Sequence, residues 1–213
     1  MKLALFGASG TIGQRILREA LRRGHTVTAI VRDPSRLTDQ HPHLTAVAGD
    51  VLDPARVAAA VAGHEAVLSA YGPSGGAGAE TIAAAARALI AGLKAAGVTR
   101  LVVVGGSGSL EVAPGLKLID TPQFPEAWKP LAQAHAEALA VYRTAGTDLE
   151  WSYLSPAAFL EPGARTGSFR LGGDQLLTDA EGQSRISAED YAIAFLDEVE
   201  HPRHVRQRFT AAY

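Results

Sequence analysis

The sequence predicts an α/β fold, a doubly wound parallel sheet covered by helices on both faces. Three observations carry this expectation: short apolar runs recur along the chain, helical stretches separate them, and Gly, Pro, Asp and Ser stand at their bounds. Several runs are continuously apolar, as strands buried on both faces must be. Regular alternation of strand and helix then implies parallel pairing through crossovers.

Strands are expected at Lys2 to Phe6, Thr26 to Val31, Leu44 to Ala48, Ala66 to Ser69, Leu101 to Val104, Trp151 to Leu154 and Arg208 to Ala212. Between the first two, Ile12, Ile16, Leu17, Ala20 and Leu21 fall at helical spacing, and Gly24 closes the element at a C-cap position. The alanine-rich segment Glu80 to Ala96 carries Ile82, Ala86, Leu89, Ile90 and Leu93 on one face before Gly97 stops it. Glu126 to Thr144 makes another helix, and Ser187-Ala188-Glu189-Asp190 opens the last with a hydroxyl cap and an acid three residues on. The tract from Gly72 to Ala79 follows a strand end and is expected to be a mobile ligand loop.

A chain of 213 residues suits a single domain, residues 1–213, with a core large enough to need no disulfide or metal. Lys plus Arg number 20 and Asp plus Glu 22, so no strong positive field exists to hold nucleic acid. The absence of cysteine excludes disulfides, thiolate metal sites and cysteine nucleophiles together. No apolar stretch approaches a membrane span, and the run Met1 to Gly7 is too short for a signal peptide. A cytoplasmic protein acting on a small molecule is expected, with its oligomeric state open.

Gly7-Ala8-Ser9-Gly10-Thr11-Ile12-Gly13 follows the first strand directly and opens the first helix. Glycines there let the backbone turn sharply and approach a diphosphate, while Gly13 permits close packing of helix on strand. Free N–H groups and the positive helix end face the anion. The motif in this context predicts a Rossmann-type, NAD(P)-binding fold.

At the end of the second strand, where an acid would accept from both ribose hydroxyls, stands Arg32. A guanidinium can pair bidentately with a 2′-phosphate, which favours NADP(H) over NAD(H). Asp33 follows at once, and a small rotation would present its carboxylate instead. Asp50 is placed for the adenine edge or, equally, for the N-terminus of a helix before Pro54.

A general-acid dyad is missing. The usual short-chain dehydrogenase pairs a Tyr with a Lys four residues later, yet Tyr71, Tyr142, Tyr153, Tyr191 and Tyr213 have no such lysine. Reduction of an ordinary ketone is therefore poorly supported, and no residue is assigned a catalytic role.

Over its full length the chain resembles the atypical short-chain dehydrogenases proposed to be NADH-flavin reductases, near flavin/biliverdin reductase and the NmrA-type regulators. The resemblance rests on Gly7 to Gly13, Val31-Arg32-Asp33-Pro34, Gly49-Asp50-Val51, Val103 to Leu110, Ser155-Pro156-Ala157-Ala158-Phe159 and Arg208-Phe209-Thr210. It implies a Rossmann-type doubly wound parallel sheet with a small C-terminal substrate cap. It also implies a cofactor lined by Ala70-Tyr71-Gly72 and Ser155-Pro156, and FMN or FAD as substrate. One departure stands out: Gly105-Gly106 comes first after the fifth strand, and the serines follow at 107 and 109. Hydride transfer to a flavin needs stacking and alignment more than acid-base chemistry, so the missing dyad is expected. A non-catalytic NADP(H)-sensing protein fits the same absence.

Weaker candidates complete the reading. Ser107, Phe159, Arg165 and Phe169 are candidate substrate contacts, because loops at strand C-termini hold the site in such sheets. His135 is expected as a packed core histidine more than a proton donor. Phe124 and Trp128, among Pro122, Pro125 and Pro130, form either a lid or a stiffened loop. His41, His43, His201 and His204 read as surface loops with no metal, and Arg203, Arg206 and Arg208 as a solvated face.

Overall fold

The computed structural model describes residues 1–73 and 78–213. Its first half alternates β1 (Lys2–Phe6), α1 (Thr11–Arg22), β2 (Thr26–Val31), β3 (Leu44–Ala48), α2 (Pro54–Val61), β4 (Ala66–Ser69) and α3 (Thr81–Ala96). After β5 (Arg100–Val104) come the short strands β6 (Glu111–Ala113) and β7 (Leu116–Lys117), then α4 (Lys129–Ala145) and β8 (Glu150–Ser155). The chain ends with β9 (Phe159–Glu161), β10 (Arg170–Gly172), β11 (Arg185–Ser187), α5 (Ala188–Glu200) and β12 (Gln207–Ala212).

Eight strands form one sheet in the order β10, β12, β8, β5, β4, β1, β2, β3. All neighbours pair in parallel except β10 and β12, which are antiparallel. The order reverses at β1, where the chain leaves toward β2 on one side and later returns to β4 on the other. That reversal is the switch point at which doubly wound sheets bind ligands, and the Gly7–Gly13 turn stands there.

Both faces of the central sheet are covered, which is why strands such as β1, β4 and β5 read as nearly continuous apolar runs. On one face Leu3, Leu5, Val27 and Leu154 pack with Ile16 and Leu17 of α1 and Tyr191 and Phe195 of α5. On the other, Phe6, Val67, Val103 and Tyr153 pack with Val57 of α2, Leu89 and Leu93 of α3, and Leu139 and Tyr142 of α4. The last helix starts as expected: Ser187 caps α5 by accepting from the Asp190 amide at 3.0 Å.

Four features depart from the sequence reading. The helix expected from Glu126 opens as a 3-10 turn over Glu126–Trp128 and becomes α-helical at Lys129, with Pro130 in its first turn where a missing N–H costs nothing. The eight-residue α2, expected only as the helix start before Pro54 that Asp50 was to serve, is capped by Asp53 instead, which accepts from the Ala55 and Arg56 amides. The cap over the site is not purely C-terminal. It is built from the segment between β5 and α4, which holds the β6–β7 hairpin, and from the segment after β8, where β9 pairs in parallel with β11. Lastly, Arg208 does not lie on a solvated face. Its side chain is buried against the cap, donating to Asp174 Oδ1 at 2.7 Å and to the Ser109 hydroxyl at 2.8 Å. A strand residue pointing toward two loops can pair there at both ends, and this one ties β12 to the loop after β5.

Of the tract from Gly72 to Ala79, expected as a mobile ligand loop, residues 74–77 lie outside the described residues. No helix among the described residues is long and apolar enough to cross a membrane.

Candidate functional site

The strand order sets the predicted residues in a row along the C-terminal edge of the sheet. Asp50 and Val51 follow β3, Arg32 follows β2, the glycine turn follows β1, Ala70-Tyr71-Gly72 follows β4, Ser107 lies beyond β5 and Ser155-Pro156 ends β8. With strands spaced by about 4.8 Å, the row from β3 to β8 spans roughly 24 Å.

The three glycines of the turn are glycine for different reasons. Gly7 has φ +78°, and a Cβ there would lie 2.4 Å from the Ala70 carbonyl oxygen. A Cβ on Gly13 would lie 2.0 Å from the Gly7 carbonyl oxygen, so α1 can start against β1 only with glycine at that position. Gly10 differs: it precedes α1 in extended conformation, is exposed, and a Cβ there would meet no atom closer than Gly7 O at 3.4 Å. Nothing in the protein requires glycine at 10. A diphosphate seated on the helix N-terminus does, so the cradle fits the dinucleotide by an observation of its own shape. Ser9 and Thr11 are exposed beside it, and Ile12 is half-buried against the core.

Arg32 is exposed just past β2. Asp33 is committed elsewhere, since its Oδ1 accepts from the Ser35 amide at 3.0 Å and the Ser35 hydroxyl at 2.7 Å, capping the 3-10 turn Pro34–Arg36. Those bonds hold its carboxyl below the usual range. Asp50 closes its own turn by accepting from the Leu52 amide at 2.9 Å, and the helix-capping acid is Asp53. Val51 is buried in the core on the side covered by α2 and α3.

Beyond β4, the Tyr71 hydroxyl donates to Thr81 Oγ1 at 3.0 Å and Gly72 is exposed. Ser155 is buried and donates to the Gly106 carbonyl at 2.9 Å, fastening the end of β8 to the loop after β5. That loop lies flush on its supports. A Cβ on Gly105 would come 2.1 Å from the Tyr153 ring, one on Gly106 2.7 Å from His135 Cβ, and one on Gly108 2.6 Å from Ala132 Cβ. The run Gly105-Gly106-Ser107-Gly108, which departs from the pattern the resemblance implies, is thus the floor of a close-packed corner.

Above this floor opens a cavity of about 440 Å³. Its walls are the glycine loop with Ser107, the residues Ala132 and His135 of α4, Phe124 and Trp128 of the cap, and Pro156, Ala158 and Phe159 after β8. Trp128, Leu131 and Phe159 are half-exposed at its rim. The two aromatics suspected as a lid do meet, edge to face, with ring centroids 6.5 Å apart. Gln123, Thr121 and Leu118, which no motif marked, complete the lining.

His135 sits in this wall and not wholly in the core. The Tyr153 hydroxyl donates to the His135 carbonyl at 2.9 Å and stands 3.3 Å from His135 Nδ1. Burial lowers the imidazole from its usual range to about 4, so it is neutral at pH 7. Burial also pushes the Tyr153 phenol up. Neither group is poised as an acid near neutrality, in keeping with the absent Tyr-Lys dyad.

Two substrate candidates lie outside the cavity. Arg165 donates from Nε and Nη2 to the Glu19 carboxylate at 3.0 and 2.9 Å, which anchors it on α1 and outside the cavity lining. The buried Glu19 needs compensation, and Arg165 and Arg23 supply it. Phe169 packs against the α1–α5 side of the core. No group of three or more His, Asp or Glu that could hold a metal occurs among the described residues. His204 instead bonds Glu198 Oε2 at 2.8 Å and stacks on Phe209 with centroids 4.2 Å apart.

Known proteins share this fold. The structure matches a protein of Burkholderia pseudomallei, described as a proposed exported protein, with TM-score 0.91 and 52% identity over 100% of both chains. It matches a proposed epimerase from Bacteroides thetaiotaomicron with TM-score 0.92 and 41% identity, covering 100% of this chain and 96% of the other. It matches a proposed NADH-flavin reductase from Streptococcus pneumoniae with TM-score 0.84 and 34% identity, covering 100% and 99%. The family model described as NAD(P)H-binding covers residues 7–202, from the first glycine of the turn to the end of α5 and beyond. A chain with this sheet, this turn at its switch point and this match along nearly its whole length belongs to the NAD(P)H-binding family.

Proposed function

We propose that the protein is an NAD(P)H-dependent reductase that passes hydride to a flavin or similar conjugated acceptor, with NADP(H) preferred over NAD(H). The observation that carries this reading is the cavity bounded by Gly105, Gly106, Trp128 and Pro156, which opens beside the β5 and β8 ends of the row begun by the glycine turn. The name of the Streptococcus pneumoniae relative agrees with it.

Gly7 to Gly13 would hold the diphosphate, Arg32 the 2′-phosphate, Asp50 and Val51 the adenine side, and Ala70-Tyr71-Gly72 with Pro156 the nicotinamide side. The dinucleotide, when bound, supplies the hydride chemistry. The protein's own residues align and exclude water. Trp128, Phe124 and Phe159 offer flat faces for a conjugated ring, and Ser155 fastens the end of β8 to the Gly105-Gly106 floor of the cavity. An epimerase would need acid and base groups flanking a substrate carbon. Among the described residues lining the cavity there is no Asp, Glu, Lys or Tyr, which favours the reductase. The cytoplasm, where reduced dinucleotide is supplied, is the proposed compartment.

The test is steady NADPH oxidation on adding flavins or quinones, beside titration of NADPH and NADH binding. Turnover supports the reductase. Tight dinucleotide binding with no turnover on any conjugated acceptor would replace it with a cofactor-sensing protein.

A further inference from the structure

The cavity combines two properties that bear on what it accepts. Its described lining contains no charged side chain, although the protein as a whole carries 42 Lys, Arg, Asp and Glu (20 and 22). A phosphate drawn inside would lose its hydration without gaining a cation. Its polar side chains are neutral, and most are uncommitted. Among the described residues, Ser107 Oγ, the Gln123 amide and His135 Nε2 make no hydrogen bond within the protein, whereas Thr121 donates to the Leu118 carbonyl at 2.8 Å. Uncommitted neutral donors in an apolar cavity lined by Phe124, Trp128 and Phe159 suit carbonyl oxygens on a flat ring.

We propose that this cavity takes an uncharged, flat, carbonyl-bearing ring, of which a quinone is the simplest example, in preference to phosphorylated flavins. The proposal rests on the reductase reading for its chemistry but not for its binding. Reduction of a quinone to a hydroquinone takes up two electrons and two protons. A hydride from reduced nicotinamide, which leaves oxidised, supplies both electrons and one hydrogen; water at the open rim supplies the second proton. Such a step asks no dominant acid of the wall.

Trp128 gives a readout independent of turnover, because it lines the cavity while the other tryptophan, Trp151, is buried under α4. Menadione, riboflavin, FMN and FAD are titrated against tryptophan fluorescence of the dinucleotide-free protein, with Trp128→Phe as the control for absorption by the ligand. The same four are then tried as acceptors for NADPH, against a protein-free blank. Menadione should quench Trp128 and bind at least tenfold more tightly than FMN or FAD, with riboflavin between. Leu131→Lys, which brings a cation to the half-exposed rim, should tighten FMN about tenfold relative to menadione. Quenching by menadione without turnover would uphold the cavity's preference and remove the reductase reading. FMN or FAD binding as tightly as menadione, or no quenching by menadione, would overturn the proposal while leaving dinucleotide reduction of another acceptor open to the first test.

Discussion

Tyr153 and His135 are joined twice, through the phenol's bond to the His135 carbonyl at 2.9 Å and its approach to Nδ1 at 3.3 Å. The pair locks α4 to β8 beneath the cavity and fixes the ring against Gly106. Since burial holds the imidazole at about 4, against roughly 6.5 unfolded, the unfolded chain binds the extra proton between those values. Stability from this group is therefore complete above about pH 6.5 and lost as pH falls toward 4, by at most about 3 kcal/mol. His135→Asn should flatten that part of the profile. Urea midpoints from pH 4 to 7 check it, and parallel slopes for the two proteins would refute it.

Gly10 and Gly13 should part company on substitution. Gly10→Ala has room for its methyl within the protein, so it should fold as the native chain does and bind NADPH at least tenfold more weakly. Gly13→Ala drives a Cβ into the Gly7 carbonyl and should cost about 3 kcal/mol or more of stability, beyond ordinary overpacking. Thermal unfolding and NADPH titration of both variants decide the matter. Native affinity in a folded Gly10→Ala would place the dinucleotide elsewhere.

Cofactor choice should depend on Arg32. With Asp33 held by Ser35, Arg32→Glu replaces the phosphate partner by a repelling charge. NADPH should weaken by about 2 kcal/mol, some 30-fold, and NADH much less. Equal losses for both dinucleotides, or a native preference for NADH, would contradict the assignment.

Arg165 should matter to stability a little and to the acceptor not at all. It is partly exposed, and Glu19 keeps Arg23 when Arg165 is removed. Arg165→Ala should cost about 1 kcal/mol or less and leave acceptor KM within twofold. Trp128→Ala is the contrasting variant: acceptor KM should rise tenfold or more with NADPH affinity nearly native, because the indole walls the cavity and not the glycine turn. Steady-state kinetics of the two variants, on whichever acceptor is active, would expose an error through a reversed pattern.

By itself the sequence determined seven of the sheet's eight strands, their crossovers and the glycine turn. Runs such as Leu3-Ala4-Leu5-Phe6 and Val102-Val103-Val104 are apolar because both faces are covered, and Gly13 is imposed by the Gly7 carbonyl a few residues back, whereas Gly7 itself answers to Ala70 at the end of β4. The cavity leaves no local trace. Gln123, Leu131 and Ala132 meet Phe159 only because the segments after β5 and β8 emerge from adjacent strands, and their elements, β6, β7, β9 and β11, are too short to show periodicity. Charges were misread for the same reason. Arg165 and Arg208 look alike in sequence, yet one crosses 146 residues to the buried Glu19 and the other reaches Asp174 and Ser109, partners the fold alone brings within hydrogen-bonding distance. A long cation has no periodicity to betray its partner. Its place is decided by which buried acceptor most needs it.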